Sequence, residues 1–318
     1  MSGPNFSKLA AIAAQQQGLM KEDQAIDAGF SRETIAQLIE SEDWQVVRPG
    51  VFRKKAKSQT ESQKLHALCL WLGEKTTVVS HRSAARLHGL TLDEGDLEVT
   101  VPPKFSADVP GVIAHRSRAT DPKDSKTLRG IALTTGARTI IDLASVLGEE
   151  ELAFAVEEAW RKQIATPSWV AKRLKELGTK GRRIGSLREI LRDCDTRTKP
   201  LESALEVKVW RLIKSSGLPL PKPHYEFRDD FGQPGHVDFA YPTHELAIEC
   251  DGFEFHNNPK AFEDDRLRAQ RLAAVGWRVM PLTWKQVTEG REKVVERIRH
   301  ALKFRSRSVR GKRRERQA

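Results

Sequence analysis

The run Leu246-Ala247-Ile248-Glu249-Cys250-Asp251 constrains this chain more than any other segment. Read as a strand, it places Leu246, Ile248 and Cys250 on one face and Ala247, Glu249 and Asp251 on the other. Two carboxylates on one strand face repel, and burying both without a partner is costly. A divalent cation relieves that repulsion, and hard oxygen ligands suit Mg2+ or Mn2+. The alternative is a pair of half-exposed strand residues before a turn at Gly252. The preceding strand carries Val237-Asp238-Phe239. With residues 241–244 as the connecting loop, Asp238 falls opposite Ala247, diagonal to Glu249 and on its face. A one-residue slip would reverse that.

A helix over Leu201–Ser215 has Leu201, Leu205, Val209, Leu212 and Ile213 on one stripe. At about 100° per residue, Glu202 falls inside the apolar sector and Glu206 at its edge. A glutamate on a buried helix face needs a reason, and a metal site supplies one. The rest of residues 199–302 reads as strands His224–Arg228, His236–Ala240 and Leu246–Asp251, helix Lys260–Val275, strand Trp277–Thr283 and helix Val287–Leu302. Trp277 and Trp284 read as core. The outcome is an acidic cluster of Glu202, Asp238, Glu249 and Asp251 on an α-β-β-β-α-β frame.

The 318 residues carry a net charge of +11, unevenly distributed. Residues 1–159 hold 19 basic and 22 acidic side chains, and residues 199–302 hold 16 of each. The excess lies in residues 160–198, with 11 basic against 4 acidic, and in the tail 303–318, with 8 against 1. Both basic stretches can neutralise phosphates without reading sequence, or stand solvated. No run reaches the ~18–20 apolar residues that span a bilayer. The N-terminus lacks the pattern of a secretory signal. Cys69, Cys194 and Cys250 are far apart, which argues against a disulfide framework and fits a reducing, cytoplasmic setting.

The first segment predicts a helix from Phe6 to Gln17, a second over Met20–Ala28 and a third capped by Ser31 with Ile35, Leu38 and Ile39 inward. A hairpin follows, Trp44–Val47 and Val51–Lys54, turning at Arg48-Pro49-Gly50. That is winged helix-turn-helix order. The third helix would present Arg32 and Gln37 to a DNA groove, and the wing would offer Arg53 and Lys54 to phosphates. A small helical module docked on the rest of the chain is the alternative. Residues 60–150 read as mixed α/β: helix Glu61–Leu72, a helix through His81–Leu90, strands Leu97–Val101, Val112–His115 and Ile131–Leu133, and a helix through Ile140 and Ala144. His81 and His88 are seven apart and can share a helix face. With no carboxylate or cysteine beside them in sequence, they read as structural.

The hairpin ending in RPGVF, then SHRSAARLHGL, then TTGARTIIDLA, in that order, resembles the AbiEi antitoxin family over about residues 5–150. The resemblance implies an N-terminal winged helix that represses its own promoter, and a partner nucleotidyltransferase toxin in a type IV toxin-antitoxin system. The run GHVDFAYPTHELAIECDGFEFH followed by DDRLRAQRLAAVGWRVMPLTW resembles domains related to very-short-patch-repair endonucleases, which have the PD-(D/E)xK nuclease fold. That resemblance implies metal binding by Asp238, Glu249 and Asp251, a ligand or proton-shuttle role for His256, and phosphate contact by Arg266. Asp251 occupies the place of the general motif's lysine, which the repair-type subfamily also lacks. His256 is then the best candidate to activate water, with Lys260 and Arg268 behind it.

The expected organisation is a multidomain α/β chain. It comprises a winged helix (1–57), an antitoxin-like mixed α/β domain (58–150), a basic helical connector (151–198), an endonuclease-like domain (199–303) and a basic disordered tail (304–318). The expected function is a Mg2+- or Mn2+-dependent DNA endonuclease or nickase using Glu202, Asp238, Glu249, Asp251 and His256. The other reading is a DNA-binding regulator of the antitoxin type with a degenerate nuclease fold.

Overall fold

The computed structural model describes residues 4–41, 43–55, 58–73, 76–105, 108–117, 121–178, 184–195, 197, 199–251 and 259–303, with only the backbone of 259–266. The chain divides into two compact units, Met1–Asp195 and Thr196–Ala318, and its described residues are mixed α/β with three sheets. No described helix is long and apolar enough to cross a membrane.

The first unit opens with α1 (Phe6–Gln15), β1 (Leu19–Lys21), α2 (Glu22–Asp27), α3 (Arg32–Glu40), β2 (Trp44–Arg48) and β3 (Val51–Lys54). The Asn5 side chain caps α1 and the Ser31 side chain caps α3, each accepting a backbone N–H three residues on. The helix expected over Met20–Ala28 starts later than its pattern suggests. Leu19–Lys21 is a strand instead, antiparallel to β3 in a sheet of order β1-β3-β2. Leu19 and Met20 are both buried, which suits a strand enclosed on two faces rather than a one-sided helix. Phe30, Trp44 and Phe52 form the aromatic centre of this core, beside Leu9 and Ile35.

Next come α4 (Glu61–Leu72), β4 (Val78–Val79), α5 (His81–Leu87), β5 (Leu97–Val101), β6 (Val112–Arg116), β7 (Ser125–Leu128) and β8 (Ile131–Thr134). Four helices complete the unit: α6 (Gly136–Leu143), α7 (Glu149–Arg161), α8 (Pro167–Leu177) and α9 (Gly185–Asp195). Ala67 and Leu70 of α4 pack on Leu19 and Val51, so α4 shares a core with the small sheet. The larger sheet runs β6-β5-β4-β8-β7. Its edge strand β7, Ser-Lys-Thr-Leu, carries no apolar alternation, and the sequence gives no sign of it. Beside it lies a buried ion cluster. Arg138 donates from Nη1 to Asp124 at 2.8 Å and from Nε to Asp142 at 2.8 Å, and Arg173 Nε meets Asp124 at 2.6 Å.

The second unit comprises α10 (Ala204–Ser215), β9 (Lys222–Arg228), β10 (Pro234–Tyr241), β11 (Leu246–Asp251), α11 (Pro259–Ala274), β12 (Arg278–Thr283), α12 (Trp284–Glu289) and α13 (Arg291–Lys303). Its sheet runs β12-β11-β10-β9, with an antiparallel meander and a parallel fourth strand reached through α11. Phe239 stacks on Trp210 of α10 at 6.0 Å. Ala240 and Ala247 share a second cluster with Leu272 of α11.

Breaking a buried ion pair leaves its partner's charge uncompensated. Arg138→Leu is therefore expected to lower stability by about 3–5 kcal/mol in urea unfolding. A loss under about 1 kcal/mol would show that the carboxylates find equal partners without it.

Candidate acidic site of the second unit

The Ser203 hydroxyl accepts the Glu206 N–H at 3.1 Å, which starts α10 at Ala204 rather than at Leu201. This corrects the placement of Glu202. It precedes the helix, its side chain is 73% exposed, and its Oε1 lies 3.8 Å from His224 Nδ1. The buried glutamate of the helix is Glu206, 4% exposed. Its Oε2 accepts the Glu202 N–H at 3.0 Å and lies 3.8 Å from His224 Nε2, which also meets the Pro200 carbonyl at 2.9 Å. The pattern Ser203-x-x-Glu206 is the sequence signal that marks the true helix start.

The β10–β11 register pairs Phe239 with Ile248 and Ala240 with Ala247. Continued by one residue, it sets Asp238 opposite Glu249, two residues from the expected pairing with Ala247. An even shift keeps the face, so Asp238 and Glu249 do point the same way. Asp238 Oδ2 accepts the Cys250 N–H at 2.6 Å, and Arg268 of α11 donates to Glu249 Oε2 at 3.5 Å. Asp251, at the end of β11, is exposed. His256, and the side chains of Lys260 and Arg266, lie outside the described residues.

The electrostatics are those of crowded, partly dehydrated acids. Burial raises the Asp238 carboxyl above the usual range, against the Cys250 N–H and the charge of Arg268. Burial also raises Glu206, and the neighbouring charge of Asp238 adds to it. The Cys250 thiol is held well above its ordinary value by burial, then by Asp238, Glu206, Glu249 and Asp251 in turn. Asp238 and Glu249 share one strand face, and the negative charge of Asp238 also reaches the buried Glu206. A divalent cation suits such a donor set, because it offsets both the desolvation and the mutual repulsion. The tightest group of ligating side chains among the described residues lies elsewhere, at His81, Glu98 and His115.

The expected DNA-contacting residues of the first unit divide. Arg32 is exposed, with Nε 3.3 Å from Glu22 Oε1, and Gln37 and Lys54 are exposed. Arg53 is not available to a phosphate. It is 6% exposed and hydrogen-bonds Gln45, its cross-strand neighbour, at 3.4 Å.

An acid whose folded pKa is raised favours folding while protonated, so that contribution is lost as pH rises from the unfolded to the folded pKa. Glu206→Gln is therefore expected to raise the melting temperature of metal-free protein by a few degrees near neutral pH. The gain should vanish below about pH 4, where the unfolded carboxyl also holds its proton. Equal melting temperatures at both pH values would show Glu206 is not strained by ionisation.

Two uncharacterized proteins of Mycobacterium tuberculosis, from two strains, are each 30% identical to this chain over 174 residues, 54% of this chain. The match spans 62% of the length of those relatives. The crystal structure of RV2827C protein from the same organism aligns at a TM-score of 0.41 and 14% identity, over 61% of this chain and 77% of that one. Residues 206–302, which run from the buried glutamate of α10 nearly to the end of α13, match the family model REase_MTES_1575, a restriction-endonuclease-like domain.

Proposed function

We propose that this protein is a divalent-metal-dependent nuclease that hydrolyses DNA phosphodiesters. The observation that carries this reading is the strand register that puts Asp238 and Glu249 on one face beside the buried Glu206, inside the segment that matches a restriction-endonuclease-like family. Asp238, Glu249 and Asp251 are the ligands for Mg2+ or Mn2+. When bound, the ion supplies positive charge to the scissile phosphate and makes an attacking water more acidic. Arg268 orients Glu249 through their hydrogen bond. Glu206, buried beside Asp238, would add negative charge behind the ligands when ionised. Glu202 stands at the rim beside His224. His256 is the proton carrier by resemblance, and Arg266 the phosphate contact.

The purified protein should nick or cut supercoiled plasmid with Mg2+ or Mn2+. Asp238→Asn should lower the rate by about a hundredfold or more, since loss even of outer hydrogen bonds to metal ligands costs 10–100-fold. Retention of full cleavage in this variant would remove the acidic residues from the chemistry. A wild type inert toward both DNA and RNA with either ion would exclude the nuclease reading.

A second reading is favoured by the N-terminal order α1-β1-α2-α3-β2-β3 with sheet order β1-β3-β2. We propose that this segment is a winged helix-turn-helix that presents Arg32, Gln37 and Lys54 to DNA, as in a self-repressing antitoxin with a toxin partner. Full-length protein should then bind its own promoter with an affinity that falls steeply as salt rises. Arg32→Ala with Gln37→Ala should weaken that binding while leaving plasmid cleavage intact. Unchanged binding would place the DNA contact elsewhere.

A further inference from the structure

We propose that His81, Glu98 and His115 in the first unit form a binding site for a divalent transition ion of the zinc class, distinct from the acidic residues discussed above. Strand β5 alternates Leu97, Val99 and Val101 into the apolar core, which leaves Glu98 and Thr100 on the other face. The parallel β5–β6 register sets His115 beside Thr100 on that face. The antiparallel β4–β5 register pairs Val79 with Val99, and its continuation brings Ser80 opposite Glu98, with His81 next in the chain. Strands β5 and β6, with the start of α5 just after β4, therefore deliver two imidazoles and a carboxylate to one place. One donor atom from each lies within 4.8 Å of the others.

The surroundings are those of a built site. Glu98 is 1% exposed, and a carboxylate so buried requires compensation. Its Oε2 lies 2.6 Å from His115 Nε2, and its Oε1 accepts from Arg82 at 3.4 Å. The His81 and His115 rings stack at 3.4 Å with 16° between their planes. His81 holds φ at +49°, a left-handed value unusual for a residue with a Cβ, of the sort that collects where the surroundings fix a functional side chain. Ser80 Oγ lies 2.9 Å from His81 Nδ1 and accepts from Thr100 at 2.8 Å, while Ser83 Oγ accepts the Glu98 N–H at 2.9 Å. Such outer hydrogen bonds orient metal ligands. Two nitrogens and one carboxylate oxygen are the donors of open zinc sites, whereas Mg2+ and Ca2+ prefer all-oxygen shells. Three protein ligands leave a fourth position for water or a small anion. His88, the histidine that shares the SHRSAARLHGL run, is not part of the group, since its Nε2 meets the Thr134 carbonyl at 2.8 Å.

The test uses full-length, tag-free Asp238→Asn protein stripped with a chelator, which removes an expected ligand of the second unit from the measurement. Calorimetric titration with Zn2+ should show about one ion per chain, retained through desalting and not displaced by excess Mg2+. Adding His115→Gln or Glu98→Gln should weaken Zn2+ at least about tenfold, with far-UV circular dichroism confirming the fold. No retained zinc, or an affinity unchanged by both substitutions, overturns the proposal. Should either substituted protein fail to fold, Co2+ in the Asp238→Asn protein decides. Intense visible bands of a four- or five-coordinate ion support the site, and the faint spectrum of a six-coordinate hydrated ion overturns it.

Discussion

The antiparallel register of β10 on β11 is the constraint on which the second unit's chemistry rests. Phe239 opposite Ile248 fixes which side chains enter the apolar core and which gather at the acidic face. The same register lets Asp238 cap the Cys250 N–H, an anchor that a one-residue slip would abolish by turning Asp238 to the opposite face. Phe239, fully buried and stacked on Trp210, makes such a slip costly, because it would exchange a large aromatic side chain for an aspartate in the core. Packing on one face of the strand thus enforces crowding of like charge on the other.

Buried charge recurs in the first unit, handled differently. Arg138 sits between Asp124 and Asp142, and Arg173 closes the cluster from α8. There positive and negative groups compensate one another directly, and the result holds helices to a sheet edge. At Glu98 the compensation comes from hydrogen bonds with His115 and Arg82, and the His81 ring stacks on that of His115. In the acidic site Arg268 lies 3.5 Å from Glu249, and burial raises the carboxyls of Asp238 and Glu206. The three clusters form a series from fully compensated to repulsive, and the repulsive one falls within the restriction-endonuclease-like segment.

How much of this was legible depended on the range of the interaction. Strand β11 runs from Leu246 to Asp251 as its alternation indicates, because a period of two is written in adjacent residues. The face shared by Asp238 and Glu249 follows from parity, while the true pairing lies two residues from the one that the loop length suggests. Apolar spacing alone puts Glu202 on the buried helix face, but the Ser203 cap starts the helix after it. Arg53 reads as a basic wing residue by composition, yet its strand is enclosed and Gln45 lies across from it. Strand β7 has no hydrophobic pattern, since an edge strand is held by backbone pairing that any sequence can supply.

By itself the sequence determined the strands with clear apolar alternation, the helices with strong periodicity, the acidic residue types and the division of charge along the chain. These follow from local stereochemistry and from the counting of side chains. Only the tertiary structure decided that Glu206 rather than Glu202 is the buried acid, that Arg53 faces inward, and that His115 meets Glu98 and His81 across 34 positions of sequence. Such meetings depend on strand register and on the packing of whole faces, and these are settled by the free energy of the assembled core rather than by neighbours along the chain.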